Sequence, residues 1–146
     1  MAIRQQTPPE AHQTLTQNPG AVYLDVRTEG EFAQGHAAGA INVPVVFIKG
    51  PGQMQLNPEF VEVVEQILPK NTKLVVGCQA GGRSQRACEM LEEAGYTDLT
   101  NVAGGFGGQR DQSGKVVVPG WREAGLPVSS EVGDASYQSQ RKKAGL

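Results

Sequence analysis

Two cysteines, Cys78 and Cys88, are all that the 146 residues contain, and their separation fits neither a zinc site nor a disulfide framework. Free thiols in this number suit a reducing compartment. Histidine is just as scarce. Neither His12 nor His36 has companion ligands at metal spacing, so no metal and no other cofactor is expected. Long apolar runs are missing as well. Residues 2–15 hold none, so the expectation is a soluble cytoplasmic protein with no signal peptide, no spanning helix and no membrane partner. Nor is there an excess of positive charge. Thirteen basic and 15 acidic residues leave a net charge of −2, which offers nucleic acid no electrostatic footprint. There is no internal repeat and no C-x-x-C. The glycine cluster GGFGG at 104–108 lacks the G-x-G-x-x-G spacing and is followed by no apolar helix, which excludes a nucleotide loop there. What remains is one domain of ordinary size, long enough for a real core.

The chain is organised around KLVVGCQAGGRSQRACEMLEEAG at 73–95. Leu74, Val75 and Val76 run without alternation, as in a short strand buried on both faces of a parallel sheet. Cys78 stands where that strand ends. Ala87, Cys88, Leu91 and Ala94 then recur at helical spacing, with Glu89, Glu92 and Glu93 outside and Gly95 as the stop. A helix opening near Arg83 or Ser84 directs its unpaired N–H groups and the positive end of its dipole toward Cys78. Gly81 and Gly82 permit positive φ, so the loop amides can turn inward as an anion nest. Arg83 and Arg86 add full charges nearby. An ordinary thiol is only ~3% ionised at neutral pH, and a helix N-terminus with a cation raises that fraction. Cys78 is therefore expected to be a largely ionised nucleophile rather than a buried apolar residue. Cys88 lies in the apolar stripe of the helix and is expected in the core, with a resolving thiol as the alternative.

Elsewhere, residues 2–6 read as an edge strand, and Thr7, Pro8 and Glu10 open a helix that runs to about Gln17. AVYLDV at 21–26 reads as a buried strand with Asp25 and Arg27 at its end. Residues 28–40 are expected to be an irregular crossing with one helical turn at 29–33, in which His36, Arg27 and Glu31 brace neighbouring loops and Asp25 is a structural acceptor. Ile41–Val43 is a short strand and 45–56 a loop. Asn57 and Pro58 open a helix whose apolar face is Phe60, Val63, Val64, Ile67 and Leu68. Residues 99–103 form a further strand, and Trp121 with Leu126 a small closing helix. The polar stretch from Ser129 on reads as a mobile tail or a weak helix, and Arg141, Lys142 and Lys143 as a solvated end. Alternating short strands and helices argue for a parallel sheet covered on both sides, with its site beyond the strands' carboxyl ends.

Two stretches in this order, YLDVRTEGEFAQGHAAGAINVP at 23–44 and LVVGCQAGGRS at 74–84, resemble the rhodanese family of sulfurtransferases. LTNVAGGF at 99–106 and GWREAGLPV at 120–128 resemble the end of such a domain. The resemblance divides the chain into a rhodanese domain at 1–128 and a polar tail at 129–146. It implies an α/β fold, a parallel sheet of about five strands with helices on both faces, and a persulfide-forming cysteine in the loop after the fourth strand. Cys78 is then the nucleophile, and Gln79, Ala80, Gly81, Gly82, Arg83 and Ser84 form the anion-binding loop. The Cys78 thiolate attacks the outer sulfur of a thiosulfate-like donor, Arg83 assists that anion, and the sulfur passes to cyanide, a thiol, thioredoxin or a sulfur-carrier protein. Ser84 either adds a hydroxyl hydrogen bond or caps the helix.

A phosphatase-like reading is the first rival, but such loops resemble C-x-x-x-x-x-R, one residue longer than Cys78 to Arg83. The other rivals are a non-catalytic binding module and a Cys78–Cys88 redox pair. One departure from the family pattern is a longer insert at 107–119, which either caps the site mouth or is an inert excursion.

Overall fold

The computed structural model describes residues 3–146. In chain order its elements are β1 (Arg4–Gln6), α1 (Pro8–Gln17), β2 (Val22–Asp25), α2 (Glu29–Gln34), β3 (His36–Ala37), β4 (Ile41–Asn42), β5 (Val46–Gly50), β6 (Gln53–Leu56), α3 (Phe60–Ile67), β7 (Leu74–Gly77), α4 (Gly82–Glu93), β8 (Leu99–Val102), β9 (Gln109–Arg110), β10 (Val116–Val118), β11 (Val128–Ser129), a 3-10 turn (Gly133–Ala135) and α5 (Tyr137–Lys143). Ala2, the expected first residue of the edge strand, lies outside the described residues.

Five strands form one sheet in the order β1-β8-β7-β2-β4, and every pairing in it is parallel. The fold is thus the α/β architecture expected, with β1 at the edge and β7 fourth of the five in chain order. Parallel neighbours need crossovers, and the helices supply them. Because side chains alternate along a strand, the central strands β2, β7 and β8 feed two cores. Leu24, Val26, Leu74 and Val76 pack with Phe60, Val63, Val64, Ala87, Leu91 and Tyr137 on the side of α3, α4 and α5. Tyr23, Val75 and Val102 pack with Ala11, Phe32 and Trp121 on the side of α1 and α2. That double burial explains the unbroken apolar run at 74–76.

The order of strand addition reverses between β2 and β7, parallel hydrogen-bonded neighbours whose chains cross over on opposite sides of the sheet, to β4 and to β8. A crevice opens at such a switch point, outside the carboxyl ends of the two strands. Arg27 leaves β2 and Cys78 leaves β7 there.

Several segments differ from the sequence reading. The expected loop at 45–56 is an antiparallel hairpin of β5 and β6, turned at Pro51–Gly52 and closed where Asn57 N–H donates to Val45 O. Asn57 does not cap α3. Its Oδ1 accepts the Glu59 N–H at 3.0 Å, its Nδ2 bonds Pro44 O and Tyr137 Oη, and the helix starts later, at Phe60. Trp121 is buried and donates Nε1–H to Pro127 O, but residues 121–125 form hydrogen-bonded turns rather than a helix. The crossing after β2 is more regular than expected, because Thr28 and Glu31 cap α2 reciprocally.

The largest difference is at the C-terminal end. Of the two alternatives, a mobile tail or a weak helix, the structure has a helix, and it is docked rather than free: Val128–Ser129 pairs with β3, Ser136 caps α5, and Tyr137 and Gln140 are buried. Arg141, read as solvated, bonds both oxygens of Glu59 at 2.9 and 3.2 Å.

Candidate functional site

Cys78 is 2% exposed at the end of β7, and the backbone turns sharply after it. Gly81 makes that turn possible. It sits at φ +116, a left-handed value costly for any residue with a Cβ, and serves as the N-cap of α4. Gly82, expected to share this conformation, is instead the first helical residue. From its cap position Gly81 donates its N–H to Cys78 Sγ at 3.1 Å. Gly82, Arg83 and Ser84 then open the helix, with N–H groups that have no carbonyl one turn earlier to bind. The sulfur thus lies against one directed amide and the positive end of a helix.

Ser84 resolves the alternative left open for it. It is not the cap. Its hydroxyl is buried inside the first turn, 3.3 Å from Cys78 Sγ, 3.1 Å from Gly81 O and 2.5 Å from Asn101 Oδ1. A hydroxyl has one proton and serves one acceptor at a time, so Ser84 donates to the sulfur only by releasing the others. Asn101 is held in turn by Gln5, whose Oε1 accepts Asn101 Nδ2–H at 2.9 Å.

The other side of the loop is clasped by the segment after β8. Phe106 N–H donates to Cys78 O at 2.8 Å and Gly107 N–H to Gln79 O at 3.0 Å. The fit is close: a Cβ on Gly105 would stand 2.4 Å from Cys78 O. Gln109 Nε2 adds a hydrogen bond to Ala80 O at 3.2 Å. The insert at 107–119 therefore does not cap the mouth, and its base braces the back of the loop while the residues at its tip, 111–115, are exposed. Phe106 is itself fixed by Arg27, whose guanidinium lies 4.6 Å from the ring centroid. Arg27 and Asp25 form a buried ion pair at 2.7 Å, and Arg27 Nη2 also donates to Gly35 O. His36 stacks on Phe32, with Nδ1 2.7 Å from Phe32 O. Asp25, Arg27 and His36 thus hold the scaffold around the loop, in keeping with a bracing role.

Arg83 differs from expectation. Its two terminal nitrogens bind the two oxygens of Glu31 at 2.8 and 2.9 Å, a bidentate pair joining α4 to α2. Burial pulls the Glu31 carboxyl up, but the bonds from Arg83 and from the Thr28 backbone outweigh it and hold the group at about 2. Arg83 is thereby neutralised as a free cation. Arg86, one turn further, has no carboxylate within ion-pair distance among the described residues.

Cys78, Gln79, Ala80, Gly82, Arg83 and Arg86 line one side of a cavity of about 570 Å³, and Val45, Val46, Met54 and Leu56 line the other. Gly81 and Ser84 stand behind the sulfur. Sequence reasoning thus found the loop and named Glu31 as a brace without its partner Arg83, but missed Gln5, Asn101, the Gly105–Gly107 clasp and the hairpin wall. Cys88 is fully buried on the core side of α4, and burial pushes its thiol up to about 12, far from the ionisation a resolving thiol needs. No three His, Cys, Asp or Glu side chains cluster at metal-holding distance among the described residues.

Comparison with known proteins gives one family match, the Rhodanese-like domain, over residues 7–110. "Thiosulfate sulfurtransferase 16, chloroplastic" of Arabidopsis thaliana is 40% identical over 76% of this chain and 82% of its own. "Protein HIGH ARSENIC CONTENT 1, mitochondrial" of the same plant is 42% identical over 60% of this chain, which spans only 51% of that protein. Among solved structures, Rv0390 from M. tuberculosis superposes with a TM-score of 0.74 and 30% identity, covering 90% of this chain and all of that one.

Proposed function

Because the chain belongs to the rhodanese-like family, we propose that it is a sulfurtransferase that carries sulfane sulfur from a thiosulfate-like donor to cyanide or a thiol as a persulfide on Cys78. The observation that carries this reading is the Gly81 N–H directed at Cys78 Sγ at 3.1 Å, at the head of α4. A family relative named thiosulfate sulfurtransferase supports the choice of donor.

The Cys78 thiolate attacks the outer sulfur of thiosulfate. A new S–S bond forms, the bond within thiosulfate breaks, and sulfite leaves with the electron pair. Negative charge then resides on the outer persulfide sulfur, where the amides of Gly82, Arg83 and Ser84 stabilise it as an oxyanion hole stabilises developing charge. An acceptor attacks that sulfur and returns the electron pair to Cys78. The two half-reactions share one site, so the kinetics are ping-pong. Gln79, Ala80 and Gly82 shape the wall against which the donor rests. Arg83, paired with Glu31, holds α2 and α4 together and so fixes the head of the helix beside Cys78. Thioredoxin and sulfur-carrier proteins belong with small thiols among the proposed acceptors.

Mass spectrometry after mixing with thiosulfate tests the proposal. The expected result is a gain of one sulfur on Cys78, removed by cyanide and absent in Cys78→Ala. No such gain, or the same gain in the variant, rejects it.

A further inference from the structure

The two guanidinium groups beside the cavity differ in what they already hold. Arg83 commits both terminal nitrogens to Glu31. Arg86 lines the same cavity, is exposed, and has no carboxylate partner among the described residues. A free guanidinium at a cavity wall is a fork for a planar anion.

Facing it is the β5–β6 hairpin. Val46 pairs with Leu56 and Ile48 with Met54, so these four side chains share one face of the ribbon. Ile48, Met54 and Leu56 are 49%, 63% and 45% exposed. Apolar area left in water costs free energy that a ligand with an apolar body recovers. At about 570 Å³ the cavity is also within the range of about 300–1,000 Å³ that accommodates organic ligands, and far exceeds what a small inorganic anion fills.

We infer that this mouth selects its sulfur acceptor, and that the acceptor is an organic thiol bearing a carboxylate at the far end of an apolar body. Arg86 takes the carboxylate, Val46, Met54 and Leu56 take the body, and the thiol reaches Cys78. The inference rests on the reading of Cys78 as a persulfide carrier. In the step itself the acceptor thiolate forms an S–S bond to the outer persulfide sulfur, the Cys78 S–S bond breaks, and its electron pair remains on Cys78. The products are an organic persulfide and the free thiolate, with no net oxidant or reductant required.

The test uses the full chain loaded with thiosulfate, freed of excess donor, and mixed in single turnover with mercaptohexanoate, mercaptoacetate, aminohexanethiol, cyanide or reduced thioredoxin. Loss of the Cys78 persulfide is followed by mass spectrometry, with small-thiol rates expressed per thiolate. Mercaptohexanoate is expected to discharge the persulfide about tenfold faster than aminohexanethiol, the effect of one charge-assisted pair, and faster than mercaptoacetate. Arg86→Gln removes the preference for acid over amine and keeps that for chain length; Met54→Ser with Leu56→Ser does the reverse. Equal rates for acid and amine, or a preference that survives Arg86→Gln, overturns the inference. Faster discharge by thioredoxin that the double serine variant abolishes gives the apolar face to a protein partner and also overturns it. If thiosulfate leaves no persulfide on Cys78, the proposed function fails first and the inference falls with it.

Discussion

Gly105 shows how little room surrounds the reactive loop. Its φ is +58, and a methyl group there would press on Cys78 O and on the carbonyl of Gln79. Backbone cannot yield as a flexible side chain does, so Gly105→Ala must shift the loop. We expect at least a tenfold loss of sulfur uptake by Cys78, with the far-ultraviolet circular dichroism unchanged, since the sheet hydrogen bonds lie outside the clasp. A second residue-scale consequence concerns the buried pair of Asp25 and Arg27. Asp25→Ala leaves a buried guanidinium without its counter-ion, which costs about 3–5 kcal/mol and is measurable as a lowered denaturation midpoint. The nucleophile and its loop were legible in the sequence because every essential part, from the apolar run through Cys78 to the helix face, lies within about one strand, one turn and one helix. The partner of Glu31 was not. It is 52 residues away, and nothing at Thr28–Glu31 distinguishes a carboxylate that caps a helix from one that also binds an arginine.

Helix α5 carries the clearest element-scale lesson. Its sequence, YQSQRKK, has a single large apolar residue, which is why periodicity could not separate a docked helix from a solvated end. Docking rests on Tyr137, buried against the α3 side of the core, and on Glu59, which accepts from Tyr137 Oη at 3.2 Å and from Arg141. Tyr137→Ala is expected to cost about 3 kcal/mol and to release the helix, so that limited proteolysis cuts within 130–146 in the variant and not in the parent chain. The β5–β6 hairpin escaped the sequence reading for a related reason. QMQL alternates over only four exposed residues and VFIKG does not alternate, so neither stretch alone marks a strand; the ribbon is set by the pairing of the two with each other and by Val46 and Phe47 packing on the core.

Across the whole molecule, several carboxyl groups are held below their ordinary values by hydrogen bonds and cations, Glu31 farthest at about 2. A carboxyl whose folded value is depressed contributes stability above its unfolded value, near 4.5 for Glu, and loses that contribution as pH falls toward the folded value. At the other limit, burial pushes Cys88 and Tyr96 up to about 12. Groups raised in this way contribute fully below their unfolded values of 9.0 and 10.0, and the contribution drains away as pH climbs toward 12. Thermal melting is therefore expected to be level from about pH 5 to pH 8 and to decline on both sides. Glu31→Gln should flatten the acid decline between 4.5 and 2 without moving the alkaline one.

The clasp on Cys78 O and Gln79 O also has a meaning for biosynthesis. A ribosome that has delivered the cysteine and its helix has yet to deliver Phe106 and Gly107, whose amides lock the loop, and Trp121, which fills the core behind them. During synthesis the sulfur emerges in a segment whose two clasping amides have not yet been made. The clasp thus closes on the loop only after β8, the last strand of the sheet, has been made.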